Sequence, residues 1–195
     1  MLVQSEIWTV AKTDQGNAIL LRPAKAQVVV PIFIGQLEAQ SILIGLGKIP
    51  MPRPNTHELL LSLLDKFQLQ IKQIEITDIK EGVFIASIII RGLNLNSDNP
   101  QQEEIWTHDA RPSDALALAV RAKCPIYIAE NIIDEAGIPL DNFTGKTEEF
   151  DLLNNLKVQN LKEALNKAIQ EENYEEAARI RDILIVLEKE PPEYS

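Results

Sequence analysis

The densest group of reactive side chains in the sequence lies in the segment His108–Asp114, which directly precedes an apolar Ala/Leu helix. Two carboxylates, Asp109 and Asp114, stand there beside Arg111 and Ser113. The helix is too apolar to lie on a surface, so the group should lie at the edge of the core, where charges need partners. The pattern fits a capping arrangement, with Ser113 or Asp114 as the cap and Arg111 paired with Asp109, about as well as a functional site.

Two other predicted helices begin with residues of similar chemistry. Glu38 lies in the first turn of one of them, and Arg53 and His57 lie at the start of the other. A glutamate in a first turn is favoured by the helix dipole, so Glu38 also has a purely structural explanation. A lone histidine is likewise structural more often than catalytic. On spacing alone, neither helix start establishes a site.

If the three helix starts converge in the fold, they form a site for metal-assisted cleavage of phosphodiesters. The carboxylates predicted to bind Mg²⁺ or Mn²⁺, and to act in catalysis, are Glu38, Asp109 and Asp114. The side chains predicted to bind substrate are Arg53, Arg111 and Ser113. His57 is predicted to act as a general acid or base, with a metal-bound water as the nucleophile.

The elements that must position these residues alternate between strands and helices. Polar turns at residues 14–17 and 81–82 predict two hairpins. Further strands are predicted at Gln27–Ile34, Glu103–Thr107 and Pro125–Ala129, and helices at Leu37–Leu46, Thr56–Phe67 and Glu130–Ala136, with a turn and then a helix in Asp109–Lys123. Such interspersed elements predict an α+β domain with a mixed or antiparallel sheet at 1–140. A linker at 141–157 and a helical hairpin at 158–190 follow.

Charge and composition limit the function. The chain has 195 residues, with 19 basic against 29 acidic residues and a net charge of −10. A tight nucleic-acid binder neutralises phosphates with many Lys and Arg side chains, so any nucleic-acid binding should be weak or transient. The single cysteine, Cys124, and the absence of a signal-peptide pattern favour a cytoplasmic protein. No apolar run approaches the roughly 20 residues of a membrane span.

Four segments match a known family in order: IFIGQLEAQSI, PRPNTHELLLSLL, ITDIKEGVFIASIII and DARPSDALALAVRAKCPIYIAE. Residues 1–140 therefore resemble the bifunctional nuclease (BFN) domain, for which the DARPSDALALA block is the most specific signature. The resemblance implies an α+β domain with RNase and DNase activity. It also raises the weight of the positions that lie in the matching blocks: Glu38, Arg53, His57, Asp78, Asp109, Arg111, Ser113 and Asp114.

The C-terminal segment LKEALNKAIQEENYEEAARIRDILIVLE resembles the UVR motif, a helical hairpin of bacterial excision-repair nuclease subunits. The resemblance implies protein–protein interaction, with Tyr174, Ala177, Ala178 and Arg181 as the candidate contacts. The leading hypothesis is a nuclease for RNA or DNA with an interaction hairpin. The alternative is a non-enzymatic module that binds a ligand or protein and is recruited through the hairpin. A homo-oligomer is a third hypothesis.

Overall fold

The structure, a computed structural model, describes residues 1–13, 15–93, 103–140, 149–171 and 173–189. The chain folds as two compact units, Met1–Glu149 and Phe150–Ser195. The first part of the predicted linker, residues 141–148, lies outside the described residues. Within the described part of the chain, none of the helices combines the length and apolar composition that crossing a membrane requires.

Eight strands of the described residues form one mixed sheet in the order β6-β5-β4-β7-β1-β2-β3-β8. The strands are β1 (Leu2–Thr13), β2 (Gly16–Pro23), β3 (Val28–Ile34), β4 (Gln70–Lys80), β5 (Val83–Leu93), β6 (Glu103–Ala110), β7 (Ile126–Ala129) and β8 (Ile138–Pro139). Only the β4–β7 pair is parallel, and every other pair of neighbours in the described sheet is antiparallel. The predicted α+β class with a mixed sheet is confirmed.

Six helices accompany the strands in the described residues. They are α1 (Gln36–Leu46), α2 (Thr56–Lys66), α3 (Pro112–Ala122), α4 (Glu130–Ala136), α5 (Glu149–Gln170) and α6 (Tyr174–Lys189). Helix α3 is the centre of the first unit, since it contacts α1, α2, β4 and β5. Its residues 115–119 are all buried, which confirms that the Ala/Leu segment is a core helix. The small alanines let neighbouring backbones approach closely.

The β4–β5 hairpin forms at the predicted turn. Glu81 and Gly82 both have positive φ, 51° and 78°, as the two central residues of a type I′ turn require. This turn matches the right-handed twist of the two strands that it joins. Register shifts between Ile71 and Gln73 and between Ile76 and Asp78 add bulges to β4, and bulges bend a strand and increase its twist.

The structure differs from the sequence-based predictions at three places. Strand β6 continues past Thr107 to Ala110, because its pairing with β5 continues to Ala86, so Asp109 is a strand residue and not part of a turn. The two-residue strand β8, which pairs with Val28 and Val29, was not predicted. Helix α5 begins at Glu149, so residues 149–157 of the predicted linker are helical.

Candidate functional site

The first turns of α1, α2 and α3 bring four of the predicted residues together. Arg111 is the N-cap residue of α3, and its guanidinium binds the Asp114 carboxylate with two hydrogen bonds: Nε to Oδ2 at 2.7 Å and Nη2 to Oδ1 at 3.2 Å. Its Nη1 lies 3.5 Å from Oε1 of Glu38 in α1. The hydrogen bond and the charge of Asp114 raise the pKa of Arg111, so this side chain is always a cation. Helix starts 73 residues apart in the chain therefore meet at one guanidinium.

The capping alternative from the sequence is wrong. Arg111 pairs with Asp114 and Glu38, and no side chain of the described residues caps the N-terminus of α3. Asp109 lies opposite Ser87 of β5, one residue before the pair between Ala110 and the fully buried Ala86. Since neighbouring strand residues point to opposite faces, the Asp109 side chain lies on the face of the sheet opposite to that of Ala86.

His57 lies behind Asp114 and connects it to α1. Its Nδ1 lies 3.0 Å from the Ser41 hydroxyl, and its Nε2 lies 3.6 Å from Oδ1 of Asp114. The imidazole is largely buried between these neighbours. The ring therefore lies between Ser41 and the carboxylate that orients Arg111. Its predicted role as a general acid or base stays a prediction.

A partly buried ion pair, which was not predicted from the sequence, joins the same three helices. Arg121, near the end of α3, has a side chain only 7% exposed, and its Nε donates to Oε1 of Glu58 in α2 at 2.6 Å. Its two terminal nitrogens donate to the backbone oxygens of Ala117 and of Ser41 in α1, at 2.9 and 3.0 Å. An arginine on an otherwise buried apolar helix was the available signal, because such a charge needs a partner.

The same pair shifts the titration of Glu58. Burial on its own would raise the pKa of this carboxyl, but the hydrogen bonds from Arg121 and from the backbone, with the Arg121 charge, outweigh it and lower the pKa below 4.5. Glu58 is therefore ionised in the folded protein at neutral pH. Its second oxygen, Oε2, is buried without a hydrogen-bond partner in the described residues.

A groove of about 510 Å³ adjoins the Arg111 cluster. It is lined by the end of β3, the start of α1, the β4–β5 turn with the start of β5, and the residues from Asp109 to Ser113. Four strands separate β3 from β5 in the sheet order, so the sheet must curve strongly for both to line one groove. The charged residues among its described lining are Glu38, Asp109 and Arg111.

The remaining predicted residues differ in position. Ser113 is buried and lines the groove. Arg53 is exposed, lies outside the groove lining, and makes no hydrogen bond or ion pair with the described part of the chain. Asp78 lies in β4, where it pairs with Lys80 at 3.6 Å, and it does not join the cluster. The substrate-binding role of Arg53 stays a prediction.

The carboxylates do not form a complete metal site by themselves. Among the described residues, no three His, Cys, Asp or Glu side chains are grouped so that they could hold a metal ion. Glu38 and Asp114 are engaged by Arg111, and Asp109 belongs to the neighbouring strand β6 and not to this ion-pair cluster. A metal ion held by these carboxylates would need further ligands, such as the phosphate of a substrate.

Helices α5 and α6 form a hairpin with its own core. Ala168, Ala177, Ile180 and Leu184 are buried together. At the turn, the backbone N–H of Glu176 donates to the Asn173 side chain at 3.3 Å, which caps α6 near the predicted meeting point. Of the predicted partner contacts, Tyr174 and Arg181 are exposed, Ala178 is half-buried, and Ala177 belongs to the core of the hairpin.

These features define an α+β domain with a charged groove at the starts of α1 and α3, followed in the chain by a helical hairpin. The bifunctional nuclease domain model matches residues 19–141, which is more than half of the 195 residues. The UvrB/UvrC motif model matches residues 155–190. The chain therefore belongs to the bifunctional nuclease domain family and carries a C-terminal UvrB/UvrC motif.

Similar proteins occur in bacteria and plants. An uncharacterized protein of Mycobacterium tuberculosis is 35% identical over 121 residues, which cover 62% of this chain and 66% of that protein. Bifunctional nuclease 2 of Arabidopsis thaliana is 25% identical over 200 residues, covering 90% of this chain and 54% of the plant protein. Bifunctional nuclease 1 of Oryza sativa subsp. japonica is 23% identical over 201 residues, covering 91% of this chain and 54% of that protein. The chain thus spans about half the length of these plant relatives.

Proposed function

We propose that this protein hydrolyses phosphodiester bonds of RNA or DNA in the groove beside Arg111. The observation that carries the proposal is the fixed orientation of the Arg111 guanidinium at the groove, held by Asp114 on one side and Glu38 on the other. Three of its five N–H donors face these carboxylates, which leaves two for a ligand. Membership of the bifunctional nuclease domain family supports the reaction class.

The groups of the groove can each serve one part of a hydrolysis. The two remaining N–H groups of Arg111 are suited to phosphate oxygens, whose negative charge increases as water attacks the phosphorus. We assign Glu38 the role of general base, because it lines the groove and Arg111 engages only its Oε1. A side chain at Gly35 would overlap the Glu38 carboxylate, so the glycine leaves the space that this carboxylate occupies. Asp114 positions Arg111 through two hydrogen bonds.

A divalent cation is part of the proposal for reasons of charge. The region holds three carboxylates, Glu38, Asp109 and Asp114, against one guanidinium, and this local excess of negative charge repels a phosphodiester. Mg²⁺ commonly binds through one or two carboxylates and completes its ligand set with substrate phosphates. Asp109, which lines the groove, would hold it together with the substrate phosphate, which leaves Oε2 of Glu38 free to act as the base, and the ion would supply Lewis-acid polarisation of a phosphoryl oxygen.

Hydrolysis of labelled single-stranded RNA and DNA by highly purified protein tests this proposal. We expect activity with Mg²⁺ or Mn²⁺ that a chelator removes and added metal restores. Glu38→Gln is expected to lower the rate by about 100-fold, and Asp109→Asn by at least about tenfold. Asp134→Asn, an exposed change in α4 away from the groove, is the matched control and should leave the rate unchanged.

The possible failures of this experiment separate the parts of the proposal. Activity that survives the chelator would remove the metal and leave the groove as the site. Activity that survives both groove variants would move the site elsewhere or reveal a contaminant. No activity under any condition would favour the alternative, a non-enzymatic binding module, which the net charge of −10 also favours. Cytoplasmic location and homo-oligomerisation stay predictions.

We further propose that the C-terminal hairpin recruits a protein partner, with the exposed Tyr174 and Arg181 and the half-buried Ala178 as contacts. In the full chain, Ala177→Asp is expected to unfold the hairpin, because burying a carboxylate in a small apolar core costs more than the roughly 1–3 kcal/mol of a neutral polar group. Circular dichroism should then report lost helix. Ala178→Asp, at a more exposed neighbouring position, should keep the helix content. A partner that binds the wild type but not Ala177→Asp would depend on the hairpin.

A further inference from the structure

An apolar wall lines the groove beside the charged cluster. Phe33 in β3 is 51% exposed. By contrast, the preceding residue Ile32 is buried, and Ala18, the register partner of Phe33 in β2, is fully buried. Across the groove, Val83 at the start of β5 is 66% exposed, and Phe84 and Ile85 follow it in the lining. An aromatic face thus stands open to solvent in the groove that also holds Arg111.

The charges of the groove select against a ligand that binds through many phosphates. Arg111 is the one cation in the described lining, and Glu38 and Asp109 oppose a second anionic contact. A duplex presents two rows of phosphates and keeps its bases stacked inside. Its phosphates would therefore meet a single cation, and its bases could not contact the apolar wall. An unpaired strand presents base faces that can stack on aromatic side chains whatever the sequence.

We propose that the groove binds one unpaired nucleotide of a single strand, with its base against Phe33 and its phosphate at Arg111. This inference rests on the proposed function, and it names single-stranded nucleic acid as the substrate class. The volume of about 510 Å³ lies in the range of sites for small ligands, which suits a nucleotide and not a double helix. Affinity then comes mainly from base stacking, which explains how a protein of net charge −10 can bind a polyanion.

Two measurable consequences follow from this binding mode. Loss of the stacking contact should weaken binding by roughly tenfold, the lower part of the range for base–aromatic stacking. A single phosphate contact should give a shallow salt dependence, with a slope of about −0.7 in a plot of log affinity against log salt concentration. A basic nucleic-acid binder with many phosphate contacts has a much steeper slope.

The test uses the full chain and a labelled single strand of ten thymidines with phosphorothioate links to slow cleavage. Fluorescence anisotropy gives Kd for wild type, Phe33→Ala, Phe33→Tyr and the control Phe67→Ala, which removes an exposed phenylalanine outside the groove. We expect about tenfold weaker binding for Phe33→Ala alone. A strand of the same length with abasic sites should bind the wild type as weakly as the normal strand binds Phe33→Ala.

Three results would overturn the inference: unchanged Kd for Phe33→Ala, duplex binding as tight as single-strand binding, or a salt slope steeper than about −2. Hydrolysis of the unmodified strand is measured in parallel. If the wild type hydrolyses it and Phe33→Ala binds normally, only the stacking inference fails. If the wild type neither binds nor hydrolyses any strand, the proposed function fails with it.

Discussion

Replacement of Arg111 by glutamine is expected to lower the rate of phosphodiester hydrolysis by about 100- to 1,000-fold, the usual effect of removing a donor from a developing oxyanion. The side chain is the one cation in the described lining of the groove, and it is 67% exposed to an incoming ligand. Glutamine keeps much of the size but loses the charge. The variant also leaves Glu38 and Asp114 without a counter-charge, which increases the repulsion of a phosphate. The measurement is kcat/KM on a labelled single strand.

Arg111→Lys separates charge from geometry. Lysine keeps the positive charge but cannot bind Asp114 through two parallel bonds and still direct donors to a phosphate. We expect it to recover only a small part of the lost rate. Arg22→Gln is the matched control, because Arg22 is paired with Glu6 outside this groove and should be dispensable for hydrolysis. A rate for Arg111→Gln within twofold of the wild type would move the reaction away from this groove.

The arrangement around Arg111 shows how far local sequence patterns reach. Helix α3 was predictable because a run of alanine and leucine has one stable position in a soluble protein, the core. Its first turn was predictable as polar, since orphan N–H groups and buried edges attract polar side chains. The pairing of Arg111 with Asp109, which belonged to the capping alternative, is wrong. Asp109 lines the same groove, but the guanidinium is engaged by Asp114, three residues further along the chain, and by Glu38 of α1, which no local pattern connects to Arg111.

Contacts between distant segments account for what the sequence could not reveal. Whether β6 ends at Thr107 or continues to Ala110 depends on how far β5 remains available for pairing, and no local residue encodes that length. The groove itself depends on the curvature of the sheet, which brings β3 and β5 together although four strands lie between them. Phe33 therefore read as one more residue of an apolar strand, although half of its surface is open.

Arg121→Met is expected to lower the free energy of unfolding of the first unit by about 1–3 kcal/mol, because it leaves the Glu58 carboxylate, whose side chain is 34% exposed, without its partner. The backbone oxygens of Ala117 and Ser41 also lose a donor. Methionine keeps the apolar stem within the core, so the loss is chiefly electrostatic. Both tryptophans, Trp8 and Trp106, belong to the first unit, so their fluorescence during urea unfolding reports on this unit and not on the hairpin.

Removing both charges tests whether the penalty comes from the unpaired carboxylate. The double variant Arg121→Met/Glu58→Leu should be more stable than Arg121→Met alone, since an apolar replacement of a whole ion pair is often close to neutral. If the double variant instead loses as much free energy of unfolding as Arg121→Met and Glu58→Leu lose together, the two residues do not act as a pair. If Arg121→Met matches the wild type, the pair contributes as little as an exposed one.

The pH dependence gives the same pair an independent test. Because folding lowers the pKa of Glu58 below 4.5, its ionised form stabilises the folded state above that pH, and the contribution disappears as the pH falls through the lower, folded pKa. Glu58→Gln removes this titration, so its stability should fall less than that of the wild type on acidification below pH 4.5. Parallel curves would contradict the pairing.

The same pair is also connected to the groove. Arg121 binds the Ser41 carbonyl, and the Ser41 hydroxyl contacts His57, which lies behind Asp114. Arg121→Met should therefore also lower kcat/KM under conditions in which the protein is fully folded.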